Sequence, residues 1–69
     1  MEIAPQIVGK NVKKHREKRH ISQEALADLA GLHRTYITKV EQGKTNISVI
    51  NIFKLAEALK VEAKMLLDK

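Results

Sequence analysis

A chain of 69 residues without Cys is one small domain, residues 1–69, with neither disulfides nor thiolate metal sites. Its formal net charge is +5, and residues 10–20 set six cations (Lys10, Lys13, Lys14, Arg16, Lys18, Arg19) against Glu17, so this segment alone carries the excess. No apolar run reaches the roughly 18 residues of a membrane span and the N-terminus does not resemble a signal peptide, so a cytoplasmic protein without membrane contact is expected.

A domain of this size buries only about 60% of its unfolded surface, which favours dimers. The basic balance points to a polyanionic partner; the bland alternative is a solvated helix face. Strand alternation is absent, and the chain reads as five short helices, an all-α fold.

Helix 1 is expected over about Gln6–Lys18. Val8, Val12 and His15 make its inward stripe, with the cations around it. His15 reads as a packed, hydrogen-bonded histidine, since no second metal ligand lies at helical spacing. Helix 2 follows Ser22, whose hydroxyl suits the N-cap, with Glu24 at the positive end of the helix dipole. Ala25, Leu26, Leu29 and Ala30 are expected to face inward, and Gly31 to end the helix. Helix 3 begins near His33, buries Ile37 and Val40, and ends before Gly43. Helix 4 follows a second hydroxyl cap, Ser48, and is expected to bury Val49, Ile52, Leu55, Ala56 and Leu59. Helix 5, about Glu62–Leu67, closes the domain with Met65 and Leu66.

The spacing around Gly31 carries most of the information. Two helices joined by a turn of three or four residues approach closely where they cross, which needs a small residue on the first helix. Ala27 supplies it, and Gly31 supplies the positive φ of the turn. Leu26, Ala30, Leu32, Ile37 and Val40 complete an apolar wedge. This is a helix-turn-helix pattern over about residues 22–42. The alternative is an αα-hairpin inside an unrelated bundle, but the outer face of helix 3 independently suits base reading.

Residues 8–67 resemble the lambda-repressor-like helix-turn-helix proteins. The resemblance rests on SQEALA at 22–27, AGL at 30–32, YI at 36–37, EQGK at 41–44 and LAEAL at 55–59. RTYIT at 34–38, with Glu41 and Asn46, is similar to the small controller proteins of bacterial restriction–modification systems. It implies a compact five-helix DNA-binding domain and a structural ion pair between Arg16 and Glu41. It also implies a regulator that acts on its own promoter. The chain departs from the family at three places. His33 stands where Ser, Thr or Asp usually caps the recognition helix, His15 where Leu is common, and Ile47 where Pro often follows the Asn.

With helix 3 in a major groove, Arg34 can bond guanine O6 and N7 in parallel, and the Thr35 methyl suits thymine. Tyr36, Thr38 and Lys39 are further base-contact candidates, as is His33 if it serves DNA instead of the cap. Tyr36 has a second reading, as a half-buried packing residue. Phosphate contacts are expected from Gln23 in the first turn of helix 2, and from Gln42, Lys44, Thr45 and Asn46 after helix 3. Asn46-Ile47-Ser48 also spells a glycosylation sequon, which carries no weight without a signal peptide.

No catalytic constellation is visible, and neither cofactor, metal nor small-molecule ligand is expected. The partners are double-stranded DNA and a second copy of the chain. One recognition helix covers too few bases, so a homodimer on a (pseudo)palindromic operator follows. Ile50 lies well off the core direction of helix 4, beside the chain's only Phe; Ile50 and Phe53, extended by Met65 and Leu67, form the expected dimer patch. The alternative is that Phe53 completes the core. The rival function is an antitoxin-like module that binds a partner protein and autoregulates its operon. A membrane-surface role for helix 1 lacks the bulky apolar face it needs.

Overall fold

The computed structural model describes residues 4–69, so the first three residues of the expected domain lie outside it. Five helices follow one another: α1 (Pro5–Lys18), α2 (Gln23–Ala30), α3 (Arg34–Glu41), α4 (Val49–Leu59) and α5 (Ala63–Leu67). The described residues form no strand. The expected boundaries hold to within one residue. α1 starts at Pro5, whose ring fixes a helical φ and whose missing N–H is no loss in a first turn. His33 and Glu62 serve as N-cap residues of α3 and α5 instead of entering them.

The core is aliphatic throughout. Leu26, Ile37, Leu55, Leu59 and Leu66 are its largest fully buried side chains, with Val8, Val12 and Val40 beside them. Four expected core residues are not in it, Ala25 being only half-buried. Leu29 is 62% exposed, because Leu26, Ala27 and Ala30 already define the inward stripe of α2 and Leu29 falls about 100° from its centre. Val49 is 59% exposed: it opens α4 about 70° from the mean direction of Ile52, Leu55, Ala56 and Leu59. Met65 is surface-exposed, while its neighbour Leu66 is the α5 residue that reaches the core. In the opposite direction, Ile47 is buried and pins the α3–α4 loop to the core.

His15 is packed as expected, but no hydrogen bond holds its ring within the described chain. No buried polar side-chain atom there lacks a partner, so the ring nitrogens reach the surface. Burial, and then the nearby charges of Lys14 and Lys18, hold its pKa below the ordinary value.

Two features fix α1 in place. The first is a close approach. A β-carbon at Gly9 would run into the backbone carbonyl oxygen of Val40, so α1 crosses α3 where only glycine fits. The second is an ion pair. The Arg16 Nε donates to Glu41 Oε2 at 2.7 Å and its Nη2 to Glu41 Oε1 at 3.1 Å, a two-pronged contact. Its remaining Nη1 donates to the Ile21 carbonyl at 2.8 Å, tying down the α1–α2 loop as well. The two side chains are only 13% and 4% exposed. The hydrogen bond to Glu41 is the main cause of an Arg16 pKa above its ordinary value, so the guanidinium stays charged. In the middle of α1, the buried Asn11 side-chain amide donates to the carbonyls of Leu66 at 2.9 Å and Asp68 at 2.6 Å. It thereby satisfies acceptors at the end of α5 that the short helix cannot satisfy itself.

Two outcomes follow for stability. Gly9→Ala gains about 1 kcal/mol of helix propensity but incurs an overpacking cost of up to about 3 kcal/mol, so a net loss near 2 kcal/mol is expected. Urea unfolding gives the sign, and a stabilised variant would mean that α1 does not sit against Val40. Arg16→Ala leaves the more buried partner, Glu41, without its counter-charge, and is expected to cost about 3–5 kcal/mol. A loss below about 1 kcal/mol in the same assay would reduce the pair to an ordinary surface bridge.

Candidate nucleic-acid interface

The α2–α3 unit is held by local chemistry that its sequence announces. The Ser22 hydroxyl accepts from the Ala25 N–H at 2.9 Å and caps α2. At the other end Gly31 takes φ 69° and ψ 34°, the left-handed conformation. The Leu32 N–H then returns to the Ala27 carbonyl at 2.9 Å and the Gly31 N–H to the Asp28 carbonyl at 3.3 Å. This is a Schellman closure, which turns the chain sharply into α3. Ala27, 2% exposed, keeps the two helices close. At its far end α3 closes the same way, with Lys44 N–H on the Lys39 carbonyl at 3.0 Å next to Gly43 at φ 69°.

α3 turns Ile37 and Val40 inward and leaves His33, Arg34, Thr35 and Lys39 fully on the outside. His33 makes no side-chain cap, so its imidazole projects freely and the first N–H groups of α3 remain open to an outside acceptor. Gln42, Lys44 and Asn46 are exposed just beyond, while the half-buried Thr45 donates its hydroxyl to the Asn46 carbonyl at 3.3 Å.

Three of the expected contact residues are partly committed within the protein. The Gln23 side-chain amide donates to Glu41 Oε1 at 3.0 Å, and its carbonyl oxygen accepts from the Thr38 hydroxyl at 2.9 Å. Gln23 thus retains one N–H for an outside acceptor, out of two. Thr38 has a single hydroxyl proton, divided between Gln23 and the Arg34 carbonyl at 3.2 Å, so it has the oxygen's lone pairs and its methyl left to offer. Tyr36 is half-buried, and its hydroxyl oxygen accepts from the Asn51 side-chain amide of α4 at 3.0 Å. The packing reading of Tyr36 made from the sequence thus describes its ring, which lies against the core while its hydroxyl meets α4.

Sequence reasoning missed the role of Asn51 and the joining of Gln23 and Thr38 to the Arg16–Glu41 pair. These are tertiary contacts between polar residues, which leave no periodic trace. Electrostatically the pair matters to the face itself. Glu41 closes α3, and an uncompensated carboxylate there would repel a phosphate; Arg16 neutralises it. Lys10, Lys13, Lys14, Lys18 and Arg19 of α1 are all exposed and add a positive field. Among the described residues no group of three or more His, Asp or Glu side chains is placed to hold a metal ion, and no helix is long and apolar enough to cross a membrane.

The residues expected in a dimer patch differ in exposure. Ile50 is 69% and Phe53 61% exposed, so Phe53 does not complete the core. Val49 and Met65 are exposed near them, whereas Leu67 is half-buried against the core.

Comparison with known proteins agrees with this geometry. The helix-turn-helix family pattern HTH_3 matches residues 12–66. The control protein C.BamHI of Bacillus amyloliquefaciens is 46% identical over 63 residues, covering 90% of this chain and 78% of the relative. The crystal structure of the restriction–modification controller protein C.AhdI from Aeromonas hydrophila superposes with a TM-score of 0.87 at 42% identity, over 90% of this chain and 94% of that one. SinR, a master regulator for biofilm formation solved in complex with DNA, superposes with a TM-score of 0.84 at 31% identity, over 88% and 98% of the two chains. With its capped α2, left-handed turn at Gly31 and outward row on α3, the chain belongs to the HTH_3 helix-turn-helix family and is close to the controller proteins.

Proposed function

We propose that the chain is a sequence-specific DNA-binding transcriptional regulator of the restriction–modification controller type, which reads a two-fold symmetric operator as a homodimer. The observation that carries this reading is the row His33, Arg34, Thr35 and Lys39, exposed on a helix whose other side is locked into the core. Arg34 takes a guanine edge, and Thr35 offers its methyl to thymine. Lys39 lies one turn further along the groove. The exposed donors Gln42, Lys44 and Asn46, with the spare N–H of Gln23, grip the backbone on either side of α3. Tyr36 adds its hydroxyl at the edge of this row, and Thr38 its methyl. The similarity to controller proteins favours this function over the antitoxin-like alternative, and the working compartment is the cytoplasm, where the operator would be.

The second copy docks through α4. Ile50, Phe53 and Val49 are large apolar side chains exposed together at one end of the helix, on the side that the core leaves free. Size supports it too: the protomer is 30 Å in its longest dimension, so two copies joined through α4 can set their α3 helices about 34 Å apart, one turn of the duplex.

Binding titrations across operator variants at several salt concentrations separate base from phosphate contacts. Arg34→Ala is expected to relax preference at one base pair per half-site by about 1–3 kcal/mol, and Lys44→Ala to weaken all sequences alike with a flatter salt dependence. Equal losses on every sequence for both variants would remove Arg34 from base reading. For the dimer, Ile50→Glu is expected to give a folded monomer with much weaker operator binding. Sedimentation and circular dichroism on this variant decide the case: a dimer that persists takes α4 out of the interface.

A further inference from the structure

Among the described residues, one side-chain hydrogen bond joins α3 to α4: the Asn51 amide donating to the Tyr36 hydroxyl oxygen at 3.0 Å. We propose that Asn51 of α4 is a positioning residue for DNA recognition. It holds the Tyr36 hydroxyl so that its proton points outward to an acceptor on the duplex. This rests on the reading of Tyr36 as a DNA contact.

The geometry supplies each step. Asn51 stands on a fixed base, because its own N–H is bonded at 3.1 Å to the Ser48 hydroxyl that caps α4. The next residue, Ile52, is 2% exposed and anchors that turn in the core. Tyr36 is fixed from the other side by Ile37, fully buried beside it. Between these two anchors the phenol hydroxyl has two orientations, both in the plane of the ring. An incoming N–H from Asn51 occupies a lone pair of the oxygen. The hydroxyl proton then points away from Asn51, free to meet an acceptor on the duplex. The acceptor is an oxygen or nitrogen of the duplex, either a phosphate oxygen or a base edge. Order in the side chain before binding removes an entropic cost of association. A hydroxyl whose oxygen already accepts a bond is also a better donor, through mutual polarisation.

The sequence makes the test clean, since Tyr36 is the only Tyr and Trp is absent, so tyrosine absorbance and emission report on this ring alone. Three variants are compared: Asn51→Ala, Tyr36→Phe and the double variant. In the free protein, Asn51→Ala is expected to shift the Tyr36 spectrum while circular dichroism and sedimentation match the parent. Operator affinity is expected to fall about three- to tenfold, the range of one net hydrogen bond. The double variant is expected to bind no worse than Tyr36→Phe. A loss confined to particular operator sequences identifies a base edge as the acceptor, and a uniform loss identifies a phosphate; both agree with positioning. The proposal is overturned if Asn51→Ala leaves the spectrum and affinity unchanged while Tyr36→Phe weakens binding, or if the two losses add in full. Unfolding of Asn51→Ala also overturns it, because Asn51 would then be holding the fold. If neither single variant affects binding and both are folded, the reading of Tyr36 as a DNA contact fails, and the proposal with it.

Discussion

Arg16 and Glu41 hold together three elements of the fold. The guanidinium belongs to α1, the carboxylate to the last turn of α3, and the third contact of the guanidinium is the Ile21 carbonyl at the entry to α2. A charged pair at this depth is not a cheap source of stability, since both ions lose most of their water. What it provides here is orientation. Glu41 has two oxygens, both occupied by Arg16, and one of them also accepts from Gln23. Gln23 in turn receives Thr38, so a single chain of hydrogen bonds sets the position of α2 against the outer edge of α3. The steric counterpart is Gly9, which lets α1 lie close enough to Val40 for Arg16 to reach.

Internal hydrogen bonds divide the polar side chains of the outer face into two kinds. Those with unspent hydrogen-bonding groups, Arg34 and Lys39 above all, are available to whatever lies in front of them. Those with internal partners, Gln23, Thr38 and Tyr36, present only what remains after the fold has been satisfied. Polar groups of the second kind are rigid before a partner arrives and cost less entropy to use. Selectivity therefore depends on residues behind the surface as well as on it. A substitution at Glu41 would shift Gln23 and, through it, Thr38, neither of which it neighbours in sequence.

Much of this was legible in the sequence because it is periodic or local. Ser22, Gly31 and Ser48 act on neighbours within a few residues, and their roles as caps and turn follow from side-chain chemistry. The inward Val8–Val12–His15 stripe and the Ile37–Val40 pair follow from helical spacing. The wedge around Ala27 and Gly31 combined both signals, and so identified the functional unit as well as the fold. What was not legible depends on partners remote in sequence. Leu29 and Val49 are as apolar as any core residue, and only the placement of neighbouring helices leaves them outside. Gly9 looks like a weak point in a helix until α3 is laid across it. Asn11 and Asn51 are ordinary polar residues on amphipathic helices, and their partners lie on other helices. The Arg16–Glu41 pair was available only through family resemblance, since 24 residues, the whole of α2 among them, separate the two.

Two loop entries bear on how long such a protein lasts in a cell. His20, after α1, and Lys60, at the exit of α4, adopt left-handed conformations at φ 56° and 58° with a β-carbon in place. Each conformation costs an L-residue roughly 1–2 kcal/mol relative to the right-handed one. A domain of this size has little stability to spare, and each such cost raises the fraction of molecules transiently unfolded by about tenfold per 1.4 kcal/mol. Proteases act on that fraction. Where regulation is set by how many copies are present, a short lifetime sharpens the response, because the copy number then tracks synthesis closely. The backbone at these two exits thus bears on the timing of the circuit as well as on the shape of the domain.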